Sequence, residues 1–304
     1  MKAGRAVPLG KLNNLFITSL AIDSKNNIMY AGTSGGVFRR TNADPVWTEI
    51  NTGLKSLNIK ALALDADNNL YAGTWGDGVW KLAPFGYYWS SYNGSGTTAL
   101  TNLYVNTILV VSNALIVGTT KGGVFVSKPW SQSWTAYSKG LLPNYDVSSL
   151  AIDSKSNLYA GTWGDGVYRS DGGTEKWVKY SSGLNGSTVF DLVTDPPGTY
   201  VYAATMTGVY RTVIWDKTWN AFNNGLSNMD VKVLIMDSSG SLYAGTESGV
   251  FKTTGWGANW DLFHPELSNP SVISMAIDSS GNLYAGTWGG GVFKIPLTSW
   301  SAFN

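Results

Sequence analysis

The chain of 304 residues sets 21 Lys and Arg against 20 Asp and Glu, a formal charge of +1 with only 13% of residues charged, so it lacks the basic footprint that nucleic acid or an anionic membrane surface requires. Cysteine is absent, which removes disulfides, thiolate nucleophiles and thiolate metal sites together. No apolar run reaches the ~18 residues of a spanning helix, and 36 Gly with 13% aromatics favour short strands and turns, so an all-β chain is expected.

The elements repeat. The tyrosine of "YAGT" recurs at Tyr30, Tyr71, Tyr159, Tyr243 and Tyr284, with "YAAT" at Tyr202 and "IVGT" at Ile116 filling the gaps, in steps of 41, 45, 43, 43, 41 and 41 residues. Each unit reads as four short runs, shown in the second copy as "IKALALD", "LYAGT", "VWKL" and "WSSY", separated by "ADNN" and "WGDG". Val, Ile, Tyr and Trp dominate runs of about seven residues or fewer, which argues for strands over helices. Four strands per unit of this length make the blade of a β-propeller, and seven units predict a single seven-bladed propeller over residues 1–304.

In chain order the predicted blades cover 17–50, 59–92, 105–137, 147–180, 189–222, 231–263 and 272–304. Their innermost strands start at Ile17, Ile59, Val105, Val147, Val189, Val231 and Val272, and their outermost at Trp47, Trp89, Trp134, Trp177, Trp219, Trp260 and Trp300. The last blade contains its own Trp-led run, "WSAFN". The blades are therefore expected to be contiguous in sequence, with the ring closed by side-chain packing between the first and last.

Some repeated residues serve construction. One Trp leads the fourth strand of every blade, half of the 14 in the chain. An Asp follows the first strand in six blades, at Asp23, Asp65, Asp153, Asp195, Asp237 and Asp278, with Val111 in the third. Asp holds such turns by accepting nearby backbone N–H groups. The Gly of "AGT" permits a neighbouring blade's side chains to approach closely.

The turn between the third and fourth strands reads "TTGWGANW" from Thr253 to Trp260. It resembles the Asp-box of BNR-type propellers, Ser/Thr-x-Asp-x-Gly-x-x-Trp, with Gly255 in the Asp position. Fainter copies are "SKPWSQSW" at Ser127, "SDGGTEKW" at Ser170 and "TVIWDKTW" at Thr212, each also without the Asp. The pattern "LYAGTWGDGVYRS", with "GL" before the next blade, is similar to propellers of xyloglucan-cleaving glycoside hydrolases, sortilin-like receptors and photosystem II assembly factors. The resemblance spans nearly the whole chain and implies architecture more than activity. The hydrolases place their catalytic Asp pair between two propellers, and one propeller supplies half of such a cleft. Sialidases of the Asp-box family need an arginine triad, whereas here Arg39, Arg40, Arg169 and Arg211 fall on third strands near the periphery.

His264, the one histidine, falls in the linker-like "FHPEL", which excludes a multi-His metal site and is read as a solvated linker residue; no cofactor is expected. The acids outside the repeat are Asp77, Asp165, Glu247 and Asp191. The first three lie in turns between strands two and three, and Asp191 lies on an innermost strand facing the channel. On those same turns Trp75, Trp163 and Trp288 stand where other blades have Ser34, Thr120, Met206 or Glu247. A residue needed for folding should appear in all seven blades, whereas these occur in blades two, four and seven. An indole suits stacking on a sugar ring and an adjacent Asp accepts sugar hydroxyls; the competing reading lays each indole across its own hairpin.

The candidate ligand site is therefore Trp75, Asp77, Trp163, Asp165, Trp288, Glu247 and Asp191. The expected role is a non-catalytic module binding a glycan, outside the cell or at its surface, although "MKAGRAVPLG" carries no signal-peptide apolar segment. The alternatives are a protein-interaction scaffold, and a glycoside hydrolase or lyase subunit using Asp residues. Neither nucleic acid nor membrane insertion is expected.

Overall fold

The computed structural model describes residues 7–9, 12, 14–41, 46–112, 114–127, 131–141, 146–172, 174–186, 188–253, 259–264, 267 and 270–295. Over these residues the chain forms seven antiparallel four-stranded sheets. The first strands, Ile17–Asp23, Ile59–Leu64, Val105–Val111, Asp146–Ile152, Val189–Thr194, Val231–Met236 and Val272–Ile277, touch in sequence round a central axis, and that of blade seven meets that of blade one. The result is an all-β, seven-bladed propeller.

Packing between blades sits on the second strands. "LYAGT" is buried at every position in blades two, six and seven, because both faces of a central blade strand are covered. The small residue is required by the neighbour. A Cβ on Gly73 would stand 2.7 Å from Val105 Cγ1, and one on Gly161 would stand 2.7 Å from Val189 Cγ1.

The glycine opening each third strand has a different role, since it turns the chain with positive φ. At Gly78 φ is 75°, and an added Cβ would collide with the Asn93 side chain. Asn93 cannot move aside, because its Oδ1 accepts the Val79 N–H at 2.7 Å and its Nδ2 donates to Asp77 O at 3.0 Å. Gly78→Ala is expected to lose about 1–3 kcal/mol of stability, seen as a lower denaturant midpoint with unchanged slope.

The outer strands are short, two to four residues among those described. Their leading tryptophans join the blades. Trp89, Trp134, Trp177, Trp219 and Trp260 are buried, and each indole N–H donates to a carbonyl at the end of the preceding outer strand, respectively Ile50, Tyr92, Tyr137, Tyr180 and Phe222. The acids after the first strands are used inside their own blades. Asp65 Oδ1 accepts the N–H groups of Asp67 and Asn69 at 3.0 and 2.8 Å, while Oδ2 accepts Asn69 Nδ2 at 2.8 Å and the Tyr71 hydroxyl at 3.1 Å. Asp153 and Asp278 repeat the arrangement with their own Asn and Tyr.

Contiguity of the blades is the expectation that the structure corrects. Val7–Pro8 pairs with the third strand of blade seven, Val7 opposite Lys294 and Pro8 opposite Phe293, and supplies that sheet's fourth strand. The reason lies in the recurring ladder. Leu9 donates its N–H to Val292 O at 2.9 Å, as Tyr92 does to Val79 O, and Leu9 O accepts the Trp47 indole N–H at 2.7 Å. Blade one thus receives from residues 7–9 the acceptor that every other described outer Trp finds in the preceding blade. Proline is tolerated because this is an edge strand. The predicted fourth strand at Trp300 lies outside the described residues. His264 closes the outer strand Asp261–His264 instead of lying in a linker.

Candidate functional site

Every first strand carries a β-bulge directly after its first Ile or Val, so the pairing register skips Thr18, Lys60, Asn106, Ser148, Phe190, Lys232 and Ile273. A bulge leaves one residue out of the ladder and re-aims its side chain. Repeated seven times, it lines one axial cavity with one residue from each blade. The cavity encloses about 720 Å³, within the ~300–1,000 Å³ of small-molecule sites. Trp75, Trp163, Trp288, Glu247, Asp146 and Ser271 complete its wall.

The three indoles converge on this cavity without lying flat on the neighbouring blades. Each meets one aromatic ring edge-on: Trp75 against Tyr104 at 5.3 Å, Trp163 against Phe190 at 5.4 Å and Trp288 against Phe16 at 4.7 Å. The residues remain 41%, 58% and 58% exposed. The flanking glycines anchor the turns. Gly76 and Gly78 donate to Leu103 O at 3.1 and 2.8 Å, and Gly289 donates to Leu15 O at 3.0 Å, which fixes the Trp75 and Trp288 turns to the linkers entering the next blades.

Charge is unevenly placed round the wall. Lys232 Nζ lies 2.7 Å from Asp230 and 4.2 Å above the Phe190 ring. Lys60 Nζ lies 5.1 Å above Trp75 and, among the described residues, has no ion-pair partner; burial pushes its pKa down. Asp146, opposite Trp163 in the sheet, has a buried Oδ1 without a hydrogen-bond partner among the described residues. An orphaned acceptor of this kind is costly unless a ligand or solvent donates to it.

The sequence-derived acids divide. Glu247 joins the three tryptophans on the cavity wall. Asp77 and Asp165 do not line it: Asp77 accepts the Trp80 indole N–H at 3.0 Å, and Asp165 is held by Tyr168 and Lys179. Asp191 sits one residue beyond the bulge and is turned into the joint between blades. Its Oδ1 accepts the Ser149 hydroxyl and the Leu192 N–H, each at 2.9 Å, and its Oδ2 accepts the Leu234 N–H at 2.9 Å. It ties blades four, five and six together.

Burial pushes Asp191 up to about 6, against the partial relief given by those three donors. A carboxyl raised in the folded state holds its proton there longer than in the unfolded chain, so stability falls as pH rises from about 4 to 6 and levels off above. The expected contribution is about 1–2 kcal/mol, reduced because the residue keeps a partly accessible edge. Melting temperatures across this window should lose that component in Asp191→Asn; an unchanged profile would assign the pH dependence elsewhere.

No protein-family model and no curated protein matches the sequence. Solved structures do. The extracellular domain assigned to the hybrid two-component system BT3049 of B. thetaiotaomicron is 21% identical with a TM-score of 0.81, covering 94% of this chain and 40% of that one. The extracellular domain assigned to the one-component system BT4673 of the same organism is 17% identical with a TM-score of 0.80, covering 98% and 40%. The WD40 β-propeller domain of Doa1 is 14% identical with a TM-score of 0.77, covering 99% and 100%. What they share with this chain is the propeller fold. The chain spans 40% of the length of the two bacterial domains.

Sequence reading missed the bulge residues. Their signal is present: the second position of the first strand varies between Thr, Lys, Asn, Ser, Phe and Ile beside a constant β-branched residue. Regular alternation instead points the third position, that of Asp191, at the channel. One unpaired residue per strand reverses that assignment.

Proposed function

We propose that the chain is a non-catalytic carbohydrate-binding module that seats its ligand in the axial cavity. The observation that carries this reading is the convergence of three exposed indoles from blades two, four and seven on one cavity. Flat apolar surfaces of this kind match the C–H faces of a pyranose ring, and interspersed polar groups match its hydroxyls. The Glu247 carboxylate on the cavity wall is an acceptor for hydroxyl donors. Asp77 and Asp165, the acids beside the tryptophans in sequence, are occupied by Trp80, Tyr168 and Lys179, which favours binding over hydrolysis.

Placement outside the cell accords with this role, and two of the structures similar in fold are extracellular domains. The Asp-box-like turn "SDGGTEKW" serves blade construction in this reading, since it joins strands three and four at the end away from the cavity. The test is a screen of plant and bacterial oligosaccharides followed by tryptophan fluorescence titration. A glycan that shifts the emission in a saturable manner is the expected result. A complete screen without a binder, alongside a protein ligand captured on this face, would replace the carbohydrate reading by the scaffold one.

A further inference from the structure

The cavity wall is electrically divided. Over blades seven, one, two and three its single charged lining residue is Lys60, whereas blades four to six place Asp146 and Glu247 there, with Lys232 already neutralised by Asp230. Lys60 therefore stands alone beside Trp75. At the same bulge position Thr18, Asn106 and Ser148 donate to the carbonyls of Ile59, Val147 and Val189 in the next blade. Those three side chains serve the ring, while Lys60 is left facing the cavity over an indole.

A half-buried ammonium without a counter-charge is poorly solvated by the fold, and an anionic group of the ligand supplies what is missing. The opposite wall rejects a second anion and accepts hydroxyls. Resting on the carbohydrate reading, we propose that the ligand is a mixed saccharide in which one acidic sugar, carrying a carboxylate, pairs with Lys60 Nζ beside Trp75, while neutral sugars extend toward Trp163, Asp146 and Glu247. Polyanionic chains are disfavoured, because a uniform row of carboxylates would meet the acids of blades four to six.

The experiment titrates the protein, by calorimetry, with an oligosaccharide of alternating uronic acid and neutral hexose, with its carboxyl-reduced counterpart, and with a homo-oligouronate of equal length. The alternating probe should bind about 10- to 100-fold more tightly than the reduced one, and more tightly than the homo-oligouronate, with a preference that shrinks as salt is raised. Lys60→Met, with its melting temperature as a folding control, should bring alternating and reduced probes within about threefold while leaving the reduced probe's affinity unchanged. Equal binding of the two probes by the native protein overturns the proposal. So does a Lys60→Met variant that weakens both alike, which would make Lys60 a donor to a neutral hydroxyl, or a homo-oligouronate that binds tightest. Binding of the reduced probe alone leaves the carbohydrate reading standing and removes the acidic one; no binding of any probe removes both.

Discussion

Trp219→Ala is expected to destabilise the protein by about 3–5 kcal/mol, the range for deleting a large buried aromatic. The indole is 2% exposed and meets the Tyr180 ring edge-on at 6.3 Å. Its ring N–H donates to Tyr180 O at 2.6 Å and its backbone N–H to Ser182 O at 2.7 Å, so one residue fixes blade five against blade four twice. Trp219→Phe separates the contributions. It keeps most of the apolar volume but orphans the Tyr180 carbonyl, which costs about 1–3 kcal/mol. Thermal and denaturant unfolding of the two variants should rank native, Phe, Ala. A Phe variant as unstable as the Ala variant would assign the whole effect to the lost hydrogen bond, and packing would then contribute little.

Ala substitution of Trp75, Trp163 and Trp288 together should abolish measurable ligand binding while leaving the fold intact. Each indole lines the cavity, stays exposed and meets one aromatic ring in a T-shaped pair. Truncation of such an anchor costs about 1–2 kcal/mol in affinity, and three of them approach a factor of a thousand or more if their effects add. Stability should change by less than about 1 kcal/mol per site, since other blades carry Ser34, Thr120, Met206 and Glu247 at this turn without an indole. Near-ultraviolet dichroism and the melting temperature check the fold, and fluorescence titration checks binding. Retained affinity in a folded triple variant would refute the assigned site.

The two substitutions separate tryptophans that look alike in composition. Those recurring in every described blade are buried and hydrogen-bonded across blades; those confined to three blades are exposed on the cavity wall. Recurrence in the sequence separated the two groups, because a contact needed to build each blade must be present in each blade, but it left open whether the three selective indoles lie exposed or across their own hairpins. The glycines of "AGT" were legible for the same reason, and Gly73 and Gly161 do stand against the next blade's Val105 and Val189.

Legibility ended where one residue's displacement decided orientation. Its place on an innermost strand points Asp191 at the channel, whereas the bulge at Phe190 turns Asp191 into the joint between blades and Phe190 into the cavity. Lys60 escaped notice because a lone lysine on a strand resembles a solvated surface residue until six other bulge positions are brought round it. Ring closure was equally hidden. "AVPL" lacks the tryptophan that marks outer strands, and only the ladder from Leu9 to Val292 and the Trp47 indole reveal its place.

By itself the sequence determined the seven-fold repeat, three strands of every blade, the separation of recurrent from selective tryptophans, and the absence of thiol chemistry. These follow from periodicity and composition, which are local along the chain. The tertiary structure alone decided which strand closes the ring, which side of each first strand faces the axis, and that charges from distant blades divide one cavity. Each of these depends on a register or on residues dozens of positions apart, and a chain folded into a circle brings them together only through its hydrogen-bonded geometry.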